Sequence, residues 1–256
     1  MKFAKLSGAG NDFVLVESGG RVAPALARRL CDRREGVGAD GVLFLRRGRR
    51  GGAHRLRYLN ADGSRAFCGN GTRCAAWWLS RTGGGRRLRL ETDAGLVEAV
   101  VEGEERVRVR MPPARGLRLG LELSAAGRRW IVHAIDTGVP HAVVAVQGLS
   151  RFPVERFGPP LRRHPAWGRA GANVDFIERR GKGVFALRTF ERGVEGETLA
   201  CGTGALAAAV VLETLGLARL PLGLSTRGGT LTVRRERAAL WLEGPARIVF
   251  TGEVRL

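Results

Sequence analysis

Two cysteines of this chain stand in the same local setting. Cys68-Gly69-Asn70-Gly71 leads into Thr72-Arg73-Cys74-Ala75-Ala76-Trp77-Trp78-Leu79, and Cys201-Gly202-Thr203-Gly204 leads into Ala205-Leu206-Ala207-Ala208-Ala209-Val210-Val211-Leu212. Each thiol precedes an apolar run that reads as a helix, and the glycines let backbone N–H groups approach a ligand. Two thiols on opposite sides of one carbon can remove a proton from one face and deliver another to the opposite face. That is the chemistry of a racemase or epimerase.

Helix N-termini suit this task. Each carries about half a positive charge and a set of unpaired N–H donors, which can hold a carboxylate and stabilise an enolate-like transition state. The same dipole favours thiolate over thiol. A two-base epimerase needs one thiolate and one thiol per turnover, with the roles exchanged when the reaction runs backwards. His141, after Gly138-Val139-Pro140, and Glu191, which heads the charged stretch leading to Cys201, are the candidate helper bases. His141 is expected at a cleft rim, and Glu195 and Glu197 are expected in a solvated loop.

The two cysteine turns belong to a longer repeat. A shift of 133 positions carries Cys68 onto Cys201, Asp62-Gly63 onto Glu195-Gly196 and Leu79 onto Leu212. A shift of 130 carries Ser7-Gly8-Ala9-Gly10-Asn11 onto Thr137-Gly138-Val139-Pro140-His141. A period this long predicts two related domains, with the site in the cleft between them. No organic cofactor and no metal are expected. Lys182, in Arg180-Gly181-Lys182-Gly183, reads as a surface turn. His54, His133, His141 and His164 lack ligand spacing among themselves or with the cysteines. Cys31 and Cys74 read as packed apolar side chains.

The chain has 256 residues, 44% of them hydrophobic, which is enough for a sizeable core in one large or two ordinary domains. No stretch has the ~18 apolar residues of a membrane span. Met1–Ser7 reads as the first strand of a cytoplasmic protein. The net charge of +19 invites a nucleic-acid reading, but all except three of the 43 basic residues are arginines scattered in pairs, with a single tyrosine. An arginine-rich solvated surface is expected instead of RNA binding. Such a charge can steer an anionic substrate.

Short strands rich in β-formers dominate: Phe13–Glu17, Val42–Leu45, Leu56–Leu59, Leu88–Thr92, Val97–Val101 and Val107–Met111, then Trp130–Ile135, Ala142–Val146, Asn173–Glu178, Val184–Phe190, Thr230–Arg234, Ala239–Glu243 and Arg247–Phe250. Helices are expected at Pro24–Arg33, Gly71–Arg81, Val154–Phe157 and Gly204–Leu215, the last ending near Gly216. The second and fourth are apolar nearly all round and should be buried. Met111-Pro112-Pro113-Ala114-Arg115-Gly116 is the strongest boundary signal. The fold class is α+β, with two pseudo-symmetric strand-rich domains, each wrapped around a central helix. The expected domains are 1–115 with 247–256, carrying Cys68, and 116–246, carrying Cys201.

Five segments together resemble the diaminopimelate epimerases: Gly8-Ala9-Gly10-Asn11-Asp12-Phe13, Asn60-Ala61-Asp62-Gly63-Ser64, Cys68 through Cys74, Pro140-His141, and Glu191-Arg192-Gly193 with Glu197 through Gly204. The resemblance spans nearly the whole chain. It implies cofactor-independent interconversion of LL- and meso-2,6-diaminopimelate, in lysine and cell-wall precursor synthesis, by a protein that is often a homodimer. Cys68 and Cys201 match the catalytic pair, and His141 and Glu191 match the assisting positions. Asn11, Asn60, Asn173, Glu191 and Arg192 match substrate-holding side chains, with Gly69-Asn70 and Gly202-Thr203 at the helix ends. The final strand, Arg247–Leu256, is implied to return to the first domain. Two positions depart from the family pattern. Gly41 stands where a glutamine can occur and Val139 where an asparagine can precede Pro-His, both facing the non-reacting end of the substrate. Proline racemase-like enzymes typically show histidine where Asn70 stands, and phenazine-pathway isomerases lack the paired cysteines. A one-cysteine hydrolase using His141 would leave the second Cys-Gly-x-Gly unexplained.

Overall fold

The computed structural model describes residues 1–17, 22–49 and 51–255. The chain divides into two compact units, Met1–Arg110 with Glu243–Leu256, and Met111–Leu242.

In the first unit the strands are β1 (Lys2–Gly8), β2 (Asn11–Glu17), β3 (Gly41–Arg46), β4 (His54–Asn60), β5 (Arg65–Ala66), β6 (Arg87–Thr92), β7 (Gly95–Val101) and β8 (Arg106–Arg110). Helix α1 (Pro24–Cys31) lies between β2 and β3, and α2 (Gly69–Leu79) follows β5. In the second unit β9 (Arg115–Ala125), β10 (Arg128–Asp136), β11 (Pro140–Ala145), α3 (Val154–Arg162), β12 (Asn173–Gly181), β13 (Val184–Glu191), β14 (Gly196–Thr198), α4 (Gly202–Thr214), β15 (Leu222–Thr226) and β16 (Gly229–Glu236) follow in order, and β17 (Ala239–Pro245) begins in it and ends in the first. The last strand, β18 (Arg247–Glu253), returns to pair with β1. Leu256, the end of the expected last strand, lies outside the described residues.

Strand pairing repeats. In the first unit β18 pairs antiparallel to β1, β1 antiparallel to β2, β2 parallel to β3, β3 antiparallel to β4, β4 parallel to β6 and β6 antiparallel to β7. In the second, β9, β10, β11, β12, β13, β15 and β16 pair in the same sequence of directions. Helices α1 and α3 serve as crossovers between the first parallel pairs. The short strands β5 and β14 sit on β4 and β13 just ahead of the cysteines.

The central helices are the buried ones. Cys74, Ala75, Ala76 and Leu79 of α2, and Ala205 through Ala209 with Val211 and Leu212 of α4, are almost wholly shielded. Such helices can have no polar face and gain their stability from packing, not propensity. Helices α1 and α3 are amphipathic by contrast. Helix α1 sets Ala27, Leu30 and Cys31 against Val14, Val42 and Leu59, and α3 sets Val154, Phe157 and Leu161 against Trp130 and Phe176. Trp130 meets Phe157 edge-on at 5.1 Å between ring centres. Helix α3 runs five residues past the expected Phe157, because Pro159 and Pro160 continue its turns instead of ending them. Strands β5, β9, β14 and β15 lie outside the expected set: β5 and β14 are two and three residues long, and the Pro112-Pro113 signal ends β8 and directly precedes β9.

Candidate active site

Each unit presents its cysteine as a helix cap. Cys68 is extended (φ −128°), and its Sγ accepts from Gly71 N–H at 3.3 Å. Cys201 is extended (φ −110°), and its Sγ accepts from Gly204 N–H at 3.4 Å. A thiolate sulfur is a better acceptor than a thiol, so both caps favour the ionised form. The helices begin at Gly69 and Gly202, directly after the cysteines and two residues earlier than expected at each turn.

In the first unit Asn70 Nδ2 donates to Asn11 Oδ1 at 2.6 Å, and Asn11 Nδ2 donates to Asp40 Oδ2 at 3.0 Å. Asp40 and Asp12 are gripped by Arg33, and Asp12 also by Lys5. Burial pushes the Asp12 carboxyl up, but the hydrogen bonds from Arg33 and Lys5 outweigh it and hold the group at about 2. Asn60 ends β4 and donates from Nδ2 to Ser64 Oγ at 2.9 Å. Gly41 pairs with Asn60 across β3 and β4. A Cβ at Gly41 would lie 2.3 Å from Tyr58 Cε2, so the tyrosine ring fills the space a side chain there would need.

The second unit collects more. His141 is buried rather than set at a rim, because β11 pairs parallel to β12 and places it opposite Asn173. Its Nδ1 lies 2.7 Å from Asp175 Oδ2, and its Nε2 lies 3.4 Å from Asn173 Nδ2. Thr189 Oγ1 donates to the other Asp175 oxygen at 2.8 Å. Asn173 Oδ1 accepts from Arg192 N–H at 2.8 Å, while the Arg192 side chain reaches Gly171 O at 3.4 Å. Thr198 Oγ1 donates to Glu191 Oε1 at 2.7 Å, and the Cys201 thiol is within hydrogen-bonding reach of the Glu191 carboxyl. Burial raises the Glu191 carboxyl. Burial, then the charges of Glu191 and Asp175, raise the Cys201 thiol well above its ordinary value. Thr203 Oγ1 lies 3.4 Å from Cys201 Sγ, and Thr203 O accepts from Thr137 Oγ1 at 3.1 Å.

Glu195 and Glu197 part company. Glu195 stays exposed and pairs with Arg162 and Arg163. Glu197 is not solvated: Arg188 grips it with two bonds of 2.6 Å, and both side chains are shielded. This correction follows from β14, whose pairing to β13 turns Glu197 inward. Asp175 and Arg73 were both missed in the sequence. Their only signal was a lone charge inside an apolar run, Val174-Asp175-Phe176 in a strand and Arg73 in a helix otherwise free of charge.

Each unit repeats one order of strand directions, with a cysteine capping its central helix, and this duplicated α+β fold is shared with other solved proteins. The same fold occurs in a probable proline racemase from Agrobacterium radiobacter K84, with a TM-score of 0.75 at 19% identity, covering 100% of this chain and 93% of that one. It also occurs in a PhzF-family phenazine biosynthesis protein from Bacillus anthracis, with a TM-score of 0.74 at 18% identity, covering 100% and 99%. Sequence is more discriminating. The diaminopimelate epimerase family profile matches residues 3–117 and 133–255. A diaminopimelate epimerase from Chlorobaculum tepidum is 39% identical over 98% of this chain and 100% of its own length. One from Methanothrix thermoacetophila is 40% identical over 99% and 96%. The chain belongs to the diaminopimelate epimerase family, a family of isomerases.

Proposed function

We propose that the chain interconverts LL- and meso-2,6-diaminopimelate by a two-thiol mechanism, in lysine and peptidoglycan precursor synthesis. The observation that carries this is the pair of cysteines, each capping the N-terminus of a buried helix with its own sulfur. One sulfur, as thiolate, takes the α-proton; the other, as thiol, protonates the opposite face. The electron pair rests meanwhile on the substrate carboxylate, which the helix N-termini stabilise. Glu191 accepts the Cys201 proton when that sulfur must act as base, and the Asp175–His141 pair lies behind it as a second proton store. Asn11, Asn60, Asn173 and Arg192, with Gly69-Asn70 and Gly202-Thr203, hold the substrate.

The domains are read as 1–115 with 247–256 and 116–246. The working form is read as a cytoplasmic homodimer without cofactor. Among the described residues, no helix is long and apolar enough to cross a membrane.

Incubation with LL-diaminopimelate in heavy water tests the reading directly. Deuterium at the α-carbon with formation of the meso isomer is the expected result, and Cys68→Ser and Cys201→Ser should each lower turnover by 10²-fold or more, about what a positioned proton-transfer group contributes. Near-normal turnover in either variant would reject the two-base mechanism. Another amino acid remains a second reading because Tyr58 occupies the space beside Gly41. Faster α-deuteration of a monocarboxylic amino acid than of diaminopimelate would favour it.

A further inference from the structure

Three side-chain hydrogen bonds of the first unit run head to tail. Arg73 Nη2 donates to Asn70 Oδ1 at 2.8 Å, Asn70 Nδ2 to Asn11 Oδ1 at 2.6 Å, and Asn11 Nδ2 to Asp40 Oδ2 at 3.0 Å. The other Asp40 oxygen accepts from Arg33 Nη2 at 2.8 Å, and Asp12 N–H adds a bond of 3.1 Å to Oδ2. The two ends of this chain are unlike. A guanidinium can only donate and a carboxylate can only accept, whereas a side-chain amide does either, depending on which way it is turned. With a donor at one end and an acceptor at the other, a single orientation of the two amides satisfies all three bonds. Turning Asn11 over would set its oxygen against the Asp40 carboxylate. Turning Asn70 over would set its nitrogen against Arg73.

We infer that Asp40 and Arg73 are positioning residues that together fix which way the Asn11 and Asn70 amides face, and so which atoms those amides offer to a bound substrate. The Asn11 nitrogen carries a second N–H, so the amide held this way offers a donor suited to a carboxylate, where the reversed amide would offer an acceptor. The scaffold itself does not require the arginine. A shift of 133 positions carries Asn70 onto Thr203 and Arg73 onto Leu206, and Leu206 is as fully buried as Arg73. A buried cation is costlier than a buried leucine, so Arg73 serves something in the first unit that the second lacks. The second unit lacks this chain: His141 stands where Asn11 does, and Asp175 orients its imidazole directly at 2.7 Å. Bonds in a chain polarise one another, so a change at either end reaches the amide one link further on.

The purpose of the chain rests on the reading of Asn11 and Asn70 as substrate-holding side chains, but its test needs no substrate. The protein has four asparagines, Asn11, Asn60, Asn70 and Asn173, so nitrogen-15 labelling of asparagine alone leaves four side-chain amides to follow by NMR. In Arg73→Leu, which copies the second unit, hydrogen exchange at the Asn11 side-chain amide should quicken about threefold or more, while Asn173 keeps its native rate. Asp40→Ala should do the same at Asn70. Arg73→Lys keeps a group that can only donate, and should hold Asn11 within about twofold of its native rate. An unchanged rate at Asn11 in a folded Arg73→Leu protein, or at Asn70 in a folded Asp40→Ala protein, overturns the inference. So does an equal rise at Asn173, or a Lys variant as fast as the Leu one. In the native protein alone, an Asn11 amide that exchanges no more slowly than that of Asn60, which donates to the exposed Ser64, overturns it whether or not any variant folds. Failure of diaminopimelate turnover, with these rates as expected, would count against the substrate and not against Asp40 and Arg73.

Discussion

Asp175 shows how one residue can govern several others. It binds His141 through one oxygen and Thr189 through the other, and both it and the imidazole are shielded from water. A carboxylate at Nδ1 leaves Nε2 as the acceptor facing Asn173, which in turn holds the Arg192 backbone. Asp175→Asn should scramble this order: kcat falls roughly tenfold or more, and nitrogen NMR of His141 loses the single Nδ1–H tautomer. A retained tautomer at normal kcat would refute the role. Asp12 provides a pH test. Its folded value of about 2 lies below the unfolded 3.8, so its contribution to stability is complete above pH 4 and disappears as pH falls through 2. Urea midpoints should therefore drop across that window, and an Asp12→Asn protein should show a smaller drop.

At the scale of elements, the first turns of the central helices must be glycine for different reasons. A Cβ on Gly204 would lie 2.2 Å from Asp175 Oδ1, and His141 and Thr189 hold that carboxylate in place. A Cβ on Gly71 would instead meet Leu43 Cδ2 at 2.9 Å. Gly204→Ala should cost about 1–3 kcal/mol and Gly181→Ala, with nothing within 4 Å of its added carbon, almost nothing; equal thermal midpoints for the two variants would contradict this. Much of this scale was readable from sequence. The Ala-rich apolar runs located α2 and α4, and the repeated Cys-Gly-x-Gly located their caps, because an apolar run after a turn has few alternatives. The extent of α3 past Phe157 is hard to read because prolines usually end helices, and β9 because Leu117, Leu119 and Leu121 alternate among exposed glycine and arginine and bury little. The Asn11, Asn70 and Asp40 link was hidden, since it joins residues up to 59 positions apart that only strand pairing brings together.

At the scale of the whole molecule, the surface charge and the fold are separate matters. Many of the arginines lie on strands or in ion pairs such as Arg47–Glu17 and Arg235–Glu213, while the candidate site residues are chiefly asparagine, threonine, cysteine, one histidine and a few shielded acids. Strand β18 occupies beside β1 the place that β9 occupies beside β10, yet β9 precedes its partner in the chain and β18 comes at the far end. Met1 N donates to Val254 O at 2.7 Å, so the two ends are neighbours. A circular permutant opened between Pro113 and Ala114, with its old ends joined by a short linker, would make each half contiguous: β9 to β17, then β18 through β8. It should fold and keep its thiols at their helix caps, as alkylation at Cys68 and Cys201 would report; an insoluble or unfolded permutant would refute the reading. In that permutant β18 would stand ahead of β1 in the chain, as β9 stands ahead of β10.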